Sequence, residues 1–122
     1  MSSRDIKDLI PEMQFLYALF HDEMEKQRQE YVVTCTYRSQ DEQQALYNQG
    51  RTTEGQIVTW TLHSKHCERK AFDIAMIKNG KTTWNPADYL QAGVIGQKVG
   101  LEWGGSWKKS KDYPHFQYKE MV

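Results

Sequence analysis

Four side chains in the second half of the chain have the types and spacing of a metal-dependent hydrolytic site: His66 with Asp73 seven residues on, and Asp112 with His115 three residues on. Two imidazoles and one carboxylate make a three-ligand zinc set with a fourth position open to water. A second carboxylate beside the last ligand can hold that water and move its proton, because a catalytic zinc needs a neighbouring base to direct its hydroxide at a carbonyl. Either pair alone is weak. Their coincidence in one short chain gives the pattern its weight.

These residues need particular elements to bring them together. On a single helix His66 and Asp73 would share a face yet sit ~10 Å apart along the axis, too far for one ion with ~2 Å bonds. A loop carrying His66 and folding back over a strand carrying Asp73 solves this. Ala71 to Ile77 alternates as such a strand, with Phe72, Ile74 and Met76 on one face and Ala71, Asp73, Ala75 and Ile77 on the other. An aspartate there is costly to bury without a partner or a metal; the alternative is a solvated sheet face. Pro114 removes a backbone donor and disfavours a helical Tyr113, so Asp112 and His115 lie on an extended turn entering a last strand that ends near Tyr118.

The remaining elements follow from periodicity and caps. Met13, Leu16, Phe20 and Met24 recur at helical spacing after Pro11, predicting an N-terminal helix over 11–29 whose charged tail, including His21, faces solvent. Tyr31 to Tyr37 reads as a strand. Ser39 with Glu42 is a capping box for a short helix through Gln43, Leu46 and Tyr47 to Gly50. The polar stretch from Arg51 to His63 reads mostly as loop, and a long loop in a small domain is often functional. Asn79-Gly80 turns the 71–77 strand into Lys81–Trp84 as a hairpin. Asn85-Pro86 opens a helix through Tyr89, Leu90, Val94 and Val99 that stops at Gly100. The expected fold is α+β, helices packed on a small central antiparallel sheet, in a single domain over 1–122.

Composition bounds what such a site serves. The chain has 122 residues, 39% hydrophobic, enough for one core without staples. Its 16 Lys+Arg against 16 Asp+Glu leave no basic surface for nucleic acid or anionic lipid. No stretch approaches the ~20 apolar residues of a membrane span, so no stable membrane association is expected. The N-terminus lacks a signal-type apolar run, which predicts cytoplasmic synthesis, and the two cysteines, Cys35 and Cys67, read as reduced thiols. A monomer is expected.

Ser64-x-His66, Ala71-x-Asp73, Glu102-Trp103-Gly104-Gly105 and Asp112-x-x-His115-Phe116, preceded by Tyr37-Arg38-Ser39, Gln43, Leu46-Tyr47 and Gly50-Arg51-Thr52, resemble the zinc L-alanyl-D-glutamate peptidases. These include phage endolysins that cut peptidoglycan stem peptides and are akin to D-alanyl-D-alanine carboxypeptidases. The resemblance implies a catalytic core at about 31–118 with one zinc ion in a surface cleft, bound by His66, Asp73 and His115, Asp112 as acid/base, and Arg38 as the cation that polarises the scissile carbonyl or steadies the oxyanion. It further implies Ser64 as a second-shell or substrate donor, Gln43 and Arg51 lining the cleft, and Trp103 forming a wall beside the metal. Glu102 is the next candidate for the base, and His63 and His21 have no matched role.

Relatives commonly have glycine in place of Arg69 and often asparagine at Cys67, and enzymes that cut D-Ala-D-Ala usually have glutamate where this chain has Asp112. The last departure leans toward the endopeptidase branch. The implied function is cleavage of the L-alanyl-D-glutamate bond in bacterial wall stem peptides, after release from the cytoplasm by a holin-type opening. The alternatives are a D-Ala-D-Ala carboxypeptidase or dipeptidase, and a zinc domain that binds wall peptides without cutting them.

Overall fold

The computed structural model describes residues 2–120. Helix α1 spans Pro11–Lys26, β1 Tyr31–Cys35, α2 Gln40–Asn48, β2 Ala71–Lys78, β3 Lys81–Thr83, α3 Leu90–Val99, β4 Leu101–Trp103 and β5 His115–Tyr118. The strands form one antiparallel sheet in the order β1-β2-β5-β4, with β3 pairing β2 beyond the stretch that β5 occupies. The α+β expectation holds: the described residues form three α-helices and a five-stranded sheet. No helix among the described residues is long and apolar enough to cross a membrane.

Alternation in β2 divides the molecule. Phe72, Ile74 and Met76 are fully buried and meet Met13, Phe20 and Met24 of α1, with Phe116 stacked on Phe72 at 5.4 Å between ring centres. Burying side chains of this size yields roughly 1.5–3 kcal/mol each, so this layer dominates the stability. Asp73 falls on the other face, where β1 and β5 flank it.

Several boundaries move for physical reasons. Helix α1 stops at Lys26 rather than Gln29, because Arg28 takes a left-handed φ of 57° and Gln29 N–H donates to Met24 O, a Schellman closure. The tail is not wholly solvated either: His21 Nδ1 lies 2.6 Å from the Tyr31 hydroxyl, which also meets Tyr17 at 2.9 Å. Beyond Asn85, whose side chain accepts from Ala87 N–H, the chain makes a 3-10 turn over Pro86–Tyr89 before α3 begins. Leu90 and Val94 of α3 face out, while Ala92, Gly93 and Ile95 face the sheet. A Cβ on Gly93 would stand 2.4 Å from the Trp103 ring, so the helix backbone itself lies on that indole.

Candidate metal centre

His66 sits on a compact hook between the long loop and β2. Ser64 Oγ accepts from His66 N–H at 3.1 Å, Cys67 N–H donates to Ser64 O, and Arg69 N–H donates to His66 O. Closing the hook puts Arg69 at φ 61°, a conformation that suits glycine and strains other residues. Here Arg69 is held by its guanidinium, which lies 3.9 Å over the Tyr37 ring and donates to Asp8 O at 3.0 Å.

The sheet brings the other ligands to the hook. In register, Asp73 faces Cys35 of β1 on one side and His115 of β5 on the other. Asp73 Oδ1 lies 3.1 Å from His66 Nε2 and 3.0 Å from His115 Nδ1, and the two imidazole rings stand 5.1 Å apart at 77°.

Each imidazole has its remote nitrogen engaged. His66 Nδ1 donates to Thr36 O at 2.9 Å, and His115 Nε2 donates to Gln117 Oε1 at 2.8 Å. Those bonds assign the tautomers and leave lone pairs on His66 Nε2 and His115 Nδ1, both aimed at one carboxylate oxygen. Three acceptors crowded this way repel unless a cation sits among them. His66 Nε2 is buried and, close as it is to Asp73, has no hydrogen bond of acceptable geometry. Two donor groups, Cys35 with His66 and Asp73, and Asp73 with Asp112 and His115, meet at Asp73, and the two imidazoles that converge on its carboxylate make with it a set that fits a zinc ion.

The charges agree with that reading. Burial opposes ionising Asp73, but the imidazoles of His115 and His66 beside it outweigh burial and hold the carboxyl well below the usual range. Burial likewise opposes charging His66, yet Asp73, with Cys35 behind it, lifts the imidazole to about 10. An ionised carboxylate between two imidazole nitrogens is a setting that suits a cation.

Asp112 stands beside the set, its Oδ2 4.0 Å from His115 Nδ1 and its side chain 48% exposed to the cleft. Desolvation pushes its carboxyl above the ordinary value, with Asp73 adding to the rise and His115 opposing it. Its backbone is pinned, since Asp112 N–H donates to Gly104 O at 3.0 Å and His115 N–H to Asp112 O at 3.2 Å. A Cβ on Gly104 would fall 2.3 Å from Asp112 O, so this approach needs glycine.

Arg38 also reaches the cleft. Its Nη1 donates to Gln43 Oε1 at 3.0 Å and its Nη2 approaches Cys35 Sγ at 3.5 Å, while Nε is buried with no hydrogen bond. Gln43 is fully buried behind it and donates to Thr61 O at 2.7 Å. Gln43 is therefore a brace between Arg38 and the long loop and does not line the cleft as expected.

The cleft has a volume of about 730 Å³, with Val58, Trp60 and Thr61 on one wall and Trp107, Lys111 and Asp112 on the other. Arg51 is not on its surface; the guanidinium packs 3.9 Å over Tyr47 and reaches 5.6 Å from Trp60, backing that lip. Trp103 is a core residue, 6% exposed, whose Nε1 donates to Tyr113 O. The indole beside the ligands is Trp107, 5.4 Å from His115. Glu102 lies behind the site, where its Oε2 accepts from Trp107 Nε1 and Gln117 Nε2, so it orients His115 through Gln117 instead of serving as a spare base. Gln117 is missed by the sequence reading, although its place two residues along β5 from His115 puts it on the same face. Cys67 approaches Ser39 O at 3.8 Å and does not join the ligands, and His63 lies on the cleft wall.

Residues 58–118 match a peptidase family model described as D-alanyl-D-alanine carboxypeptidase. Peptidoglycan L-alanyl-D-glutamate endopeptidase CwlK of Bacillus subtilis (strain 168) is 40% identical over 70% of this chain and 59% of its own length. L-alanyl-D-glutamate peptidase of Listeria phage A118 is 30% identical over 73% of this chain and 30% of its own. The chain thus spans only part of the curated relatives it matches. In fold, it is similar to the crystal structure of Serratia marcescens L-Ala D-Glu endopeptidase ChiX, with a TM-score of 0.78 and 24% identity, covering 98% of this chain and 89% of that one.

Proposed function

The chain belongs to the M15 peptidase family, which is zinc-dependent, and from that membership we propose that it is a zinc L-alanyl-D-glutamate endopeptidase acting on peptidoglycan stem peptides. The observation that carries the proposal is the pair of imidazole lone pairs converging on Asp73 Oδ1. The choice of bond is supported by the L-alanyl-D-glutamate specificity in the names of both curated relatives.

His66, Asp73 and His115 would hold the ion. Zinc in such a site supplies Lewis acidity toward a carbonyl and lowers the pKa of water toward ~7. Asp112, facing the same space 4.0 Å from His115, takes the proton from the attacking water and returns it to the leaving amine. Arg38, permanently charged, lining the cleft and with Gln43 fixing its angle, offers its guanidinium to the developing oxyanion. Ser64 holds the His66 backbone, and the Val58–Thr61 and Trp107–Asp112 walls hold the peptide between them. Access to the wall through holin-type release is part of the same proposal.

Mass spectrometry of purified peptidoglycan digested by the zinc-loaded protein tests this, beside a chelated sample and Asp112→Ala. New D-glutamate amino termini that vanish in both controls are expected. Release of terminal D-alanine would move the chain to the carboxypeptidase branch named by its family model, and zinc binding without cleavage would make it a binding domain.

A further inference from the structure

The wall that carries Asp112 ends in Trp107-Lys-Lys-Ser-Lys111, three lysines within four residues of a chain with no net charge. Two lysines line the cleft, and they differ. Lys65 is committed, 3.2 Å from Glu120 and 3.6 Å from Glu68. Lys111 pairs with no carboxylate among the described residues; its Nζ donates to Gly105 O at 3.3 Å.

The base from which Lys111 projects is fixed. Gly104 O accepts from Trp107 N–H at 3.3 Å and from Asp112 N–H at 3.0 Å, so both ends of the lysine loop return to one carbonyl. Lys111 thus stands next in the chain to the residue that, in the proposed reaction, protonates the leaving nitrogen, and both line the same cleft.

That nitrogen has a distinctive neighbour. In an L-alanyl-D-glutamate bond it is attached to the glutamate α-carbon, and where the stem peptide continues through the glutamate side chain, the α-carboxylate stays free. An anion then sits two bonds from the atom Asp112 must reach, close to that second carboxyl group. Like charges so near one another disfavour binding in a partly desolvated cleft, and a cation on the same wall offsets the cost.

Resting on the endopeptidase reading, we infer that Lys111 is a specificity-determining residue that receives the free α-carboxylate of the D-glutamate on the leaving side of the scissile bond. Lys65, neutralised by Glu120 and Glu68, is poorly placed to do so, and Arg38 is already assigned to the oxyanion. The site therefore favours D-glutamate over its α-carboxamide, D-isoglutamine.

Two synthetic stem peptides that differ only in that group, α-carboxylate or α-carboxamide, test the inference with zinc-loaded wild type, Lys111→Met and Lys111→Arg. Wild type is expected to prefer the acid. Lys111→Met should raise KM for the acid about tenfold, leave the amide unchanged and so erase the preference, a magnitude in keeping with loss of one charge-assisted contact. Lys111→Arg should restore it. Zinc content and the melting curve establish that both variants are folded and loaded. Equal losses on both peptides, or none on either, would overturn the role of Lys111 while leaving the endopeptidase intact. Failure of wild type to cut either peptide would instead remove the endopeptidase reading, and this inference with it.

Discussion

His115 faces Asp73 directly across the β2–β5 pairing, Nδ1 to Oδ1 at 3.0 Å. A strand register therefore sets the metal site: slipping β5 by one residue would turn His115 to the core and bring Phe116 out. Asp73 is the hinge of the set because both imidazoles aim at the same oxygen. Asp73→Asn keeps the shape and removes the charge, and it is expected to weaken zinc binding by more than the roughly 10–100-fold that loss of a supporting partner costs. Competition with a chelator measures this. Chelation of wild type should abolish cleavage and leave the far-ultraviolet circular dichroism intact, since the Phe20–Phe72–Phe116 core lies on the other side of the sheet. Unchanged zinc affinity in Asp73→Asn would refute the ligand set.

Asp112→Ala separates binding from turnover. Its backbone contacts to Gly104 and His115 survive the change, so zinc stoichiometry should hold while kcat falls roughly 10²–10⁴-fold, the usual worth of a positioned acid/base. Glu102 offers no rescue, being occupied with Gln117 and Trp107. Near-full activity in this variant would end the assignment.

Gln43→Leu probes the brace. It strips an acceptor from Arg38 and a donor from Thr61 O inside a buried site, a change costing about 1–3 kcal/mol. Lower melting temperature, lower kcat/KM and unchanged zinc content are expected. If the loss of activity comes through Arg38, then Gln43→Leu with Arg38→Ala should lose less than the sum of the two single variants. Strict additivity would show that Gln43 acts elsewhere.

What was legible beforehand depended on how local the signal was. Asn79 and Gly80 take φ 54° and 76°, a two-residue turn their types announce, and the alternation of Phe72, Ile74 and Met76 located the sheet's buried face. The ligands were legible because metal chemistry restricts residue types. The supporting residues were not: nothing in the neighbourhood of Trp103 and Trp107 tells which indole enters the core and which stands beside His115. Gln43 reads as a polar helix residue until the loop carrying Thr61 folds over it. Leu90 and Val94 have helical spacing yet face out, because small residues let the opposite face of α3 lie closer to the sheet.

Alkaline pH should find a weak point far from the cleft. Burial first, then the Tyr17 hydrogen bond and the Glu25 charge, push the Tyr31 hydroxyl far above its usual 10.0, and burial raises Tyr17 as well. The folded chain then keeps a proton that the unfolded chain releases, so this contribution is intact below the unfolded value and stability falls as pH rises through and beyond about 10. Urea unfolding at neutral pH and above pH 10 measures the drop. Tyr31→Phe should be less stable at neutral pH by about 0.5–1.5 kcal/mol for a lost hydrogen bond, and less sensitive to alkali. An equal alkaline drop in both proteins would dismiss the tyrosine.

Gly104 links the fold to the chemistry. Its carbonyl holds both ends of the lysine loop, and the absence of a side chain lets Asp112 O pass where a Cβ would stand 2.3 Å away. Gly104→Ala must therefore push the Asp112 turn outward, because the opposing atom is backbone and cannot rotate aside. His66 and Asp73 are held by other elements, so two of the three ligands stay in place. A displacement of about 1 Å at a reacting group can cost roughly 10²-fold in rate, which sets the expected loss in kcat. Zinc binding should weaken less than turnover, since Asp112 moves first and His115 follows only through their shared turn. Wild-type kcat in a folded Gly104→Ala protein would mean that Asp112 does its work without a fixed position, and the acid/base role would have to pass to another group.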